Sequence, residues 1–397
     1  MTYEKLYSYY QKTNLLPTAA GFSSKDDLEK YEAYRYSFLL NKLSIPPQIF
    51  KARDLIEFGP DSGENSLVFA KWGADITLVE PNRNAWHNIT EYFSRYELED
   101  RLRSLEKIEL ENFTPTKKYD FIDAEGFIYT IKPDDLWIKL FNNALKKNGF
   151  FIVSYYERYG AVFELILKLI YNSAKNITKS KTKEIAWKLF KKKWLSIPHT
   201  RSFDSWVMDV LENPFVRYKY FLDATDLCKK CFENNFTLYS SWPRYQECMD
   251  IYWHKKEQDL KKKLKQQIDF IKRSRLSFIF GKKLFVFSKK TDKFQTLLNK
   301  FIKLIDKSID GFDRESINEC RDVLKKIENT VNDKSFLLTD SDNVKYLFQI
   351  TEIIKEILKL LNEGDIKKII HFCNSNKIFI NMWGMPTHFS VFQKNSA

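Results

Sequence analysis

The sequence predicts an α/β protein built around a parallel sheet that helices cover on both faces. Strand-like and helix-like segments alternate from residue 51 to residue 158. After Tyr156 this alternation gives way to long helical patterns, and a β-rich segment returns at residues 377–393. Such an order indicates one α/β core that is interrupted by helical insertions.

Hydrophobic periodicity places the individual elements of the core. The helical spacing of Tyr31, Tyr34, Phe38 and Leu39 predicts a helix over residues 25–43. The other predicted helices lie at 65–71, 84–95 and 134–147, and short apolar runs predict strands at 54–58, 76–79, 119–124 and 150–156.

The rest of the chain divides by pattern into helical and core segments. Residues 160–221 and 250–370 are mostly helical in pattern, whereas residues 223–242 form a helix–strand unit. The predicted segments are an N-terminal helical segment (1–50), the core (51–158), a helical insertion that serves as a lid (159–221), a core helix and strand (222–242), a basic helical insertion (243–375) and a final core strand (376–397).

Composition limits the cellular setting and the class of protein. Apolar residues make up 44% of the chain, which is enough for a large core. The five cysteines show no paired framework, the N-terminus lacks the apolar stretch of a secretory signal, and no run of 18 apolar residues occurs. We therefore expect a soluble cytoplasmic protein.

The net charge of +13 is concentrated in two basic runs, at residues 175–193 and 255–293. A solvated helix face is the usual explanation for such a run. A surface that binds anions, such as nucleotide-sugar phosphates, phosphorylated glycans or an acidic membrane, is the second interpretation. RNA is the third, because Trp187, Phe190 and Trp194 are interleaved with the lysines.

A glycine-containing turn carries the functional argument. The segment Glu57-Phe-Gly-Pro-Asp-Ser-Gly63 lies between an apolar strand and a helix, where backbone can approach a ligand closely. Glu80 ends the next strand, and an acid at that place accepts hydrogen bonds from ribose hydroxyls. Together these features predict a nucleoside-binding site within a strand–helix–strand unit.

This pattern resembles the class I S-adenosylmethionine-dependent methyltransferases. Glu57, Gly59 and Gly63 match their first motif, and Asp61 stands where the middle glycine is usual, which the turn tolerates if residue 61 needs no positive φ. The resemblance implies a Rossmann-like sheet with an antiparallel last strand, and S-adenosylmethionine as the cofactor. The residues that it implies for cofactor binding are Glu57, Gly59, Pro60, Asp61, Ser62, Gly63, Glu80, Pro81, Asn82, Glu109 and Leu110.

A dehydrogenase is the main competing interpretation of such a turn. Dinucleotide-binding folds carry Gly-x-Gly-x-x-Gly, whose third glycine allows close packing around the bound pyrophosphate. In this chain the two glycines are four residues apart and no third one follows. The pattern therefore favours S-adenosylmethionine, which contains no pyrophosphate.

Residues that follow the fourth and fifth strands are the candidates for handling the methyl acceptor. Ligands bind at the carboxyl ends of parallel strands, where Asp123 and Glu125 stand. A hydroxyl acceptor needs a base or an orienting partner, and Glu125 is the candidate. The other candidates are His199 as a catalytic residue and Tyr129, Tyr156, Glu157 and Arg158 as acceptor-binding residues.

No metal site is expected. Cys228 and Cys231 form a CxxC pair, but residues three apart share one face of the predicted helix and are explained by packing.

We therefore expect a methyltransferase that O-methylates a small-molecule or carbohydrate acceptor, such as a surface glycan or a nucleotide sugar. Methylation of RNA is the alternative among enzymes. A catalytically silent nucleotide-binding scaffold, with a helical region for protein contacts, is the alternative from another class.

Overall fold

The structure is a computed structural model that describes most of the chain. The described residues are 4–17, 22, 24–178, 182–198, 201–246, 259–282, 286–287, 291–311, 314–332, 337–338 and 341–395. They divide into two compact units, Met1–Tyr156 with Leu222–Phe270 and Thr387–Ala397, and Glu157–Phe221 with Ile271–Pro386.

The first unit contains a seven-stranded sheet. Its strands are β1 (Asp54–Phe58), β2 (Asp75–Val79), β3 (Leu102–Glu106), β4 (Tyr119–Ala124), β5 (Leu145–Tyr156), β6 (Phe236–Trp242) and, last in the chain, Thr387–Lys394. We number the last strand β9, because two short strands, β7 (Val286–Phe287) and β8 (Leu337–Leu338), precede it in the second unit. The strand order is β3-β2-β1-β4-β5-β9-β6. Strand β9 runs antiparallel to both of its neighbours, which confirms the predicted Rossmann-like sheet with an antiparallel last strand.

Helices cover both faces of this sheet, and its central strands are therefore buried. Leu55, Ile56, Ile76 and Leu78 are all fully buried. The longest covering helix begins with a capping box, in which Ser24 and Asp27 satisfy each other's backbone N–H groups. The helices of this unit are α1 (Leu6–Thr13), α2 (Lys25–Leu43), α3 (Glu64–Lys71), α4 (Arg83–Arg95), α5 (Asp134–Ala144) and α9 (Ala224–Glu233), together with 3₁₀ turns at Pro47–Phe50, Glu99–Arg101, Leu110–Asn112 and Ile128–Thr130.

The second unit is almost wholly helical. Its apolar side chains repeat at helical spacing and pack against one another, α6 against α11 and α7 against α14. Its helices are α6 (Val162–Thr178), α7 (Thr182–Trp194), α8 (Phe203–Trp206), a π-helix (Val207–Glu212), α11 (Thr291–Asp310), α12 (Arg314–Val331), α13 (Ser341–Glu363), α14 (Ile366–Ser375) and α15 (Lys377–Asn381). Helix α10 (Leu260–Phe280) begins in the first unit and ends in the second. Strands β7 and β8 form a two-stranded antiparallel sheet.

The structure corrects the sequence analysis at three elements. The helix predicted over 134–147 ends at Ala144, because strand β5 already begins at Leu145. The predicted β structure at 377–393 is wrong at its start, because Lys377–Asn381 is helical and the strand begins only at Thr387. Strand β3 was missed because it lies at the edge of the sheet and has no fully buried residue, so no apolar run marks it. No helix in the described part of the chain is long and apolar enough to cross a membrane.

Strand register brings the ends of three central strands to one edge of the sheet. Phe58 of β1 lies beside Val79 of β2, and Glu57 lies beside Asp123 of β4. The turn after β1, Glu80 after β2 and Glu125 after β4 therefore share this edge, which we call the carboxyl edge. It is the place where ligands bind in open parallel sheets.

Candidate cofactor and acceptor site

The turn after β1 depends on backbone conformations that favour glycine. Gly59 has a φ of 63°, and a Cβ there would lie 2.8 Å from the ring of Phe127. Gly63 has a φ of 93° at the position that precedes α3. Any side chain at either place would strain the turn.

Asp61 also adopts a positive φ, of 51°. The turn therefore needs a positive φ at residue 61, and the expectation that it does not is wrong. Aspartate is nevertheless one of the few residues that enter the left-handed region readily, because its short polar side chain bonds locally. The turn thus keeps its shape although the usual middle glycine is absent.

Glu80 is held at the carboxyl edge by backbone donors. Its carboxylate accepts hydrogen bonds from the backbone N–H of Asn82 at 2.7 Å and from that of Asp61 at 3.1 Å. Burial raises the pKa of Glu80 from its ordinary value to about 8. A carboxylate can accept about four hydrogen bonds, so Glu80 can accept further ones from a ribose. The residues present therefore fit the nucleoside of S-adenosylmethionine.

Pro81 and Asn82 connect Glu80 to the next helix, α4. The side chain of Asn82 accepts a hydrogen bond from the backbone N–H of Asn84 and so caps α4. The indole N–H of Trp86 donates to the carbonyl oxygen of Glu80 at 2.8 Å. These contacts fix the backbone that carries the Glu80 carboxylate.

Glu57 lies deeper than Glu80. Its carboxylate accepts a short hydrogen bond from the hydroxyl of Ser66 in α3. Burial raises the pKa of Glu57, since its ionised form loses hydration there. Nearby, the hydroxyl of Ser62 donates to the Glu64 carboxylate at 2.6 Å, and both side chains are buried. Glu57 and Ser62 therefore stabilise the turn and the start of α3.

Glu109 contacts the N-terminal helix. The hydroxyl of Tyr7 donates to its carboxylate at 2.8 Å, and Lys5 Nζ lies 3.3 Å away. The hydrogen bond from Tyr7 and the neighbouring Lys5 lower the pKa of Glu109, although partial burial opposes them. Leu110, which follows it, is buried. The carboxylate of Glu109, which is predicted to bind the cofactor, thus already contacts Tyr7 of α1 and Lys5.

Comparison with known proteins decides the family. The family model described as a methyltransferase domain matches residues 28–241, more than half of the chain. This chain belongs to the methyltransferase domain family. The family predicted from the turn is thereby confirmed, and S-adenosylmethionine is its cofactor.

Solved structures similar to this methyltransferase share little sequence with it. The glycopeptide N-methyltransferase MtfA complexed with S-adenosylmethionine is 16% identical at a TM-score of 0.25, over 28% of this chain and 50% of that one. NodS from Bradyrhizobium japonicum WM9, complexed with S-adenosylhomocysteine, is 16% identical at a TM-score of 0.29, over 38% and 74%. TehB from Haemophilus influenzae is 19% identical at a TM-score of 0.27, over 32% and 46%. The methyltransferase thus spans about half the length of MtfA. No curated protein matches it.

An ion-pair cluster lies at the carboxyl edge, where β4 ends. Arg35 of α2 contacts both Glu125 oxygens, at 2.5 and 3.0 Å, and one oxygen of Asp123 at 3.3 Å. Arg35 and Asp123 are both buried. Burial raises the pKa of Asp123, and the carboxylate of Glu125 raises it further. Glu125 as the base stays a prediction.

Arg35 was missed by the sequence analysis, although a signal for it exists. It lies on the same helix face as Leu28, Leu39 and Leu43, which are all buried. A lone arginine within an apolar stripe needs a buried anion as its partner. The acids after β4 are that partner.

Two tyrosines that are predicted to bind the acceptor contact each other. The rings of Tyr129 and Tyr156 pack edge to face, with 5.1 Å between their centroids. Tyr129 is buried, whereas Tyr156 is half-buried. Tyr156 therefore offers part of its ring to solvent, whereas Tyr129 is enclosed.

Glu157 and Arg158 belong to the second unit. One Glu157 oxygen accepts the backbone N–H groups of Tyr159 and Gly160, both at 2.8 Å. The guanidinium of Arg158 lies 5.1 Å from the ring centre of Tyr218. Contact of these two residues with the acceptor stays a prediction.

The remaining candidates are His199 and the CxxC pair. His199 lies outside the described residues. Cys228 and Cys231 are buried on one face of α9, and burial raises the pKa of both thiols. Among the described residues, no group of three metal-binding side chains occurs.

Proposed function

We propose that this methyltransferase transfers the methyl group of S-adenosylmethionine to a hydroxyl oxygen of a small-molecule or carbohydrate acceptor. The observation that carries the proposal is the Glu80 carboxylate, which two backbone N–H groups hold beside the turn at the carboxyl edge. The cofactor supplies an electrophilic methyl group, and the chain's own residues bind and orient the reactants.

Cofactor binding is proposed for the residues that surround Glu80. Glu80 accepts hydrogen bonds from the ribose, while the backbone of the turn lies against the cofactor. Glu109 and Leu110 flank the adenine. The proposed set is Glu57, Gly59, Pro60, Asp61, Ser62, Gly63, Glu80, Pro81, Asn82, Glu109 and Leu110.

The charge of the carboxyl edge supports a neutral acceptor. Glu57, Glu80, Asp123 and Glu125 bring four carboxyl groups to the described part of this edge, and Arg35 is the cation that pairs with two of them. Arg35, whose charge is already paired, offers a polyanion no free cation, whereas the carboxyl groups offer a hydroxyl group hydrogen-bond partners. A sugar or another hydroxylated small molecule therefore suits this edge better than RNA does.

Glu125 is proposed to orient the acceptor hydroxyl. A carboxylate paired with a guanidinium still accepts hydrogen bonds. Tyr129 and Tyr156 are proposed to pack against the acceptor. Replacement of Glu125 by Ala, which removes the accepting oxygens, should lower kcat by about a hundredfold, while binding of S-adenosylhomocysteine stays unchanged.

RNA methylation is the weaker candidate for a second reason. The RNA interpretation used Trp187, Phe190 and Trp194 as a stacking surface, but Phe190 is 0% exposed and Trp194 is 7% exposed. Base stacking needs an accessible aromatic face. Only Trp187 of the three offers one.

An acceptor panel tests the proposal. Formation of S-adenosylhomocysteine is measured with neutral sugars, nucleotide sugars and RNA, after calorimetry has shown that the cofactor product binds. Turnover with a hydroxylated sugar or small molecule supports the proposal. Turnover with RNA alone contradicts it, and binding without turnover on any acceptor indicates a silent scaffold.

A further inference from the structure

One surface of the second unit combines lysines with exposed apolar side chains. It lies on α7 and the residues that follow, and we call it the α7 surface. Its members are Trp187, Lys188, Lys191, Lys192, Leu195 and Ile197. Leu195 is 65% exposed, Trp187 is 40% exposed and Ile197 is 38% exposed. Lys188, Lys191 and Lys192 share one face of α7, because Lys191 and Lys192 follow Lys188 by three and four residues, and Leu195 lies in the turn that follows the helix.

The opposite face of α7 is anchored in the core of the second unit. Ile185, Leu189, Phe190 and Lys193 are all buried. The ammonium group of Lys193 donates to the carbonyl oxygens of Phe379, at 3.0 Å, and Met382. The helix cannot turn its exposed apolar residues inward without breaking these contacts.

The lysines of this surface keep most of their charge available. Lys188 pairs with Glu184 at 2.7 Å, and the ammonium group of Lys191 lies 5.3 Å from the ring centre of Trp187. Within the described part of the chain, no ion pair involves Lys191 or Lys192. The surface is therefore cationic as well as apolar.

We propose that the α7 surface docks onto an anionic phospholipid membrane. Helices that lie in a membrane interface carry Lys or Arg together with Trp and aliphatic residues, because the apolar groups enter the acyl boundary while the cations meet the headgroups. Leu195, Ile197 and Trp187 supply the apolar part, and Lys188, Lys191 and Lys192 supply the cations. The proposal concerns this surface alone and does not depend on the proposed acceptor.

The chemistry of the exposed apolar groups favours lipid over RNA. Leu195 and Ile197 are aliphatic and offer no aromatic face to a base. The aromatic neighbours Phe190 and Trp194 are buried. Aliphatic side chains between lysines gain from insertion among acyl chains, whereas single-stranded RNA would leave them in water.

Vesicle binding by the full-length chain tests the proposal. Co-sedimentation is measured with vesicles of phosphatidylglycerol and phosphatidylcholine, and with phosphatidylcholine alone. We expect binding to the anionic vesicles that weakens with added salt. The variant Lys188→Gln/Lys191→Gln/Lys192→Gln should reduce the partition coefficient by about a hundredfold, since each lysine near an anionic surface contributes roughly fivefold.

A matched variant distinguishes binding through the α7 surface from a general effect of the positive charge of the protein. Lys261, Lys262 and Lys265 are exposed on α10, and their replacement by Gln removes the same charge from another basic helix. This control should bind anionic vesicles as the native chain does. The variant Leu195→Ser/Ile197→Ser should also lose binding, at unchanged net charge. Calorimetry with S-adenosylhomocysteine and thermal unfolding verify that each variant is folded.

Three results would overturn the proposal. The first is no binding of the native chain to anionic vesicles. The second is an equal loss in the α10 control, which would indicate nonspecific attraction. The third is retained vesicle binding in the folded α7 lysine variant, accompanied by loss of RNA binding with a steep salt dependence, which would make the surface a nucleic-acid interface.

Discussion

The carboxyl edge of the sheet and helix α7 both carry several ionisable side chains. Those of the edge are mostly buried, whereas those of α7 are mostly exposed. At the edge, Glu57, Glu80 and Asp123 are buried and held by a hydroxyl, by backbone N–H groups and by Arg35. On α7, Lys191 and Lys192 remain exposed, and only Lys193 is buried. Buried charges have fixed partners and fixed positions, which is what a binding site needs. Exposed charges instead set how a surface interacts with large partners.

The largest expected effect is the loss of cofactor affinity when Glu80 is replaced by Ala. The substitution removes the carboxylate that two backbone N–H groups contact and that two ribose hydroxyls are expected to contact. We expect binding of S-adenosylhomocysteine to weaken by about 3 kcal/mol, or more than a hundredfold. Titration calorimetry measures this change.

Glu106 supplies the control, since it is an acid at the end of the neighbouring strand β3. The variant Glu106→Ala should bind almost as the native chain does. Equal affinities of the native chain and a folded Glu80→Ala variant would remove Glu80 from the cofactor site.

The next effect concerns stability and distinguishes Lys193 from its neighbour. The variant Lys193→Met keeps the volume but leaves two buried carbonyl oxygens without their donor, so the free energy of unfolding should fall by about 1–3 kcal/mol. The variant Lys192→Met changes an exposed residue and should leave the free energy of unfolding almost unchanged. Urea unfolding measures both. A similar loss in the two variants would contradict the buried role of Lys193.

Cofactor affinity should also depend on pH through Glu80. Since the pKa of Glu80 is raised to about 8, its carboxyl group is mostly protonated in the free protein at pH 6 to 7. Ribose hydroxyls donate to the ionised form, so binding requires the loss of a proton. Affinity should therefore increase severalfold for each pH unit between 6 and 8, and level off above 8.

The variant Glu80→Gln is the control for this pH dependence. Its side chain has nearly the same shape but does not titrate, so its affinity should be lower and almost flat over the same range. A pH profile that persists unchanged in this variant would assign the titration to another group.

The smallest effect is expected at Asp61. The variant Asp61→Gly keeps the backbone N–H that donates to Glu80 and relieves the positive φ, while it removes a carboxylate that raises the pKa of Glu80. Cofactor affinity near pH 7 should therefore equal or slightly exceed that of the native chain. The variant Asp61→Ala, which places a Cβ at positive φ without a local polar contact, should lower stability by about 1 kcal/mol. A sharp loss of affinity in Asp61→Gly would mean that the carboxylate contacts the cofactor.

Much of the core was predictable from sequence because its signals are local. The helix at Lys25–Leu43 and the strand at Asp54–Phe58 have the predicted bounds, since apolar periodicity and caps determine them. The glycine turn and Glu80 were found for the same reason, because they lie a fixed distance apart in one strand–helix–strand unit. Strand β3 and the helix at Lys377–Asn381 were not found, because their own residues carry no clear pattern. The insertion boundaries at 159–221 and 243–375 stay predictions.

The sequence by itself therefore determined the fold family and the cofactor, because both depend on motifs of neighbouring residues, whereas the residues that bind the cofactor stay a prediction. Tertiary structure decided which charged side chains have partners. Arg35 reaches Asp123 and Glu125 over about ninety residues of chain, and Lys193 reaches Phe379 over 186. Spacing along the chain does not reveal such pairs, because burial and proximity arise only when distant segments pack together. The same packing leaves Lys191 and Lys192 in solvent while it encloses the lysine that follows them.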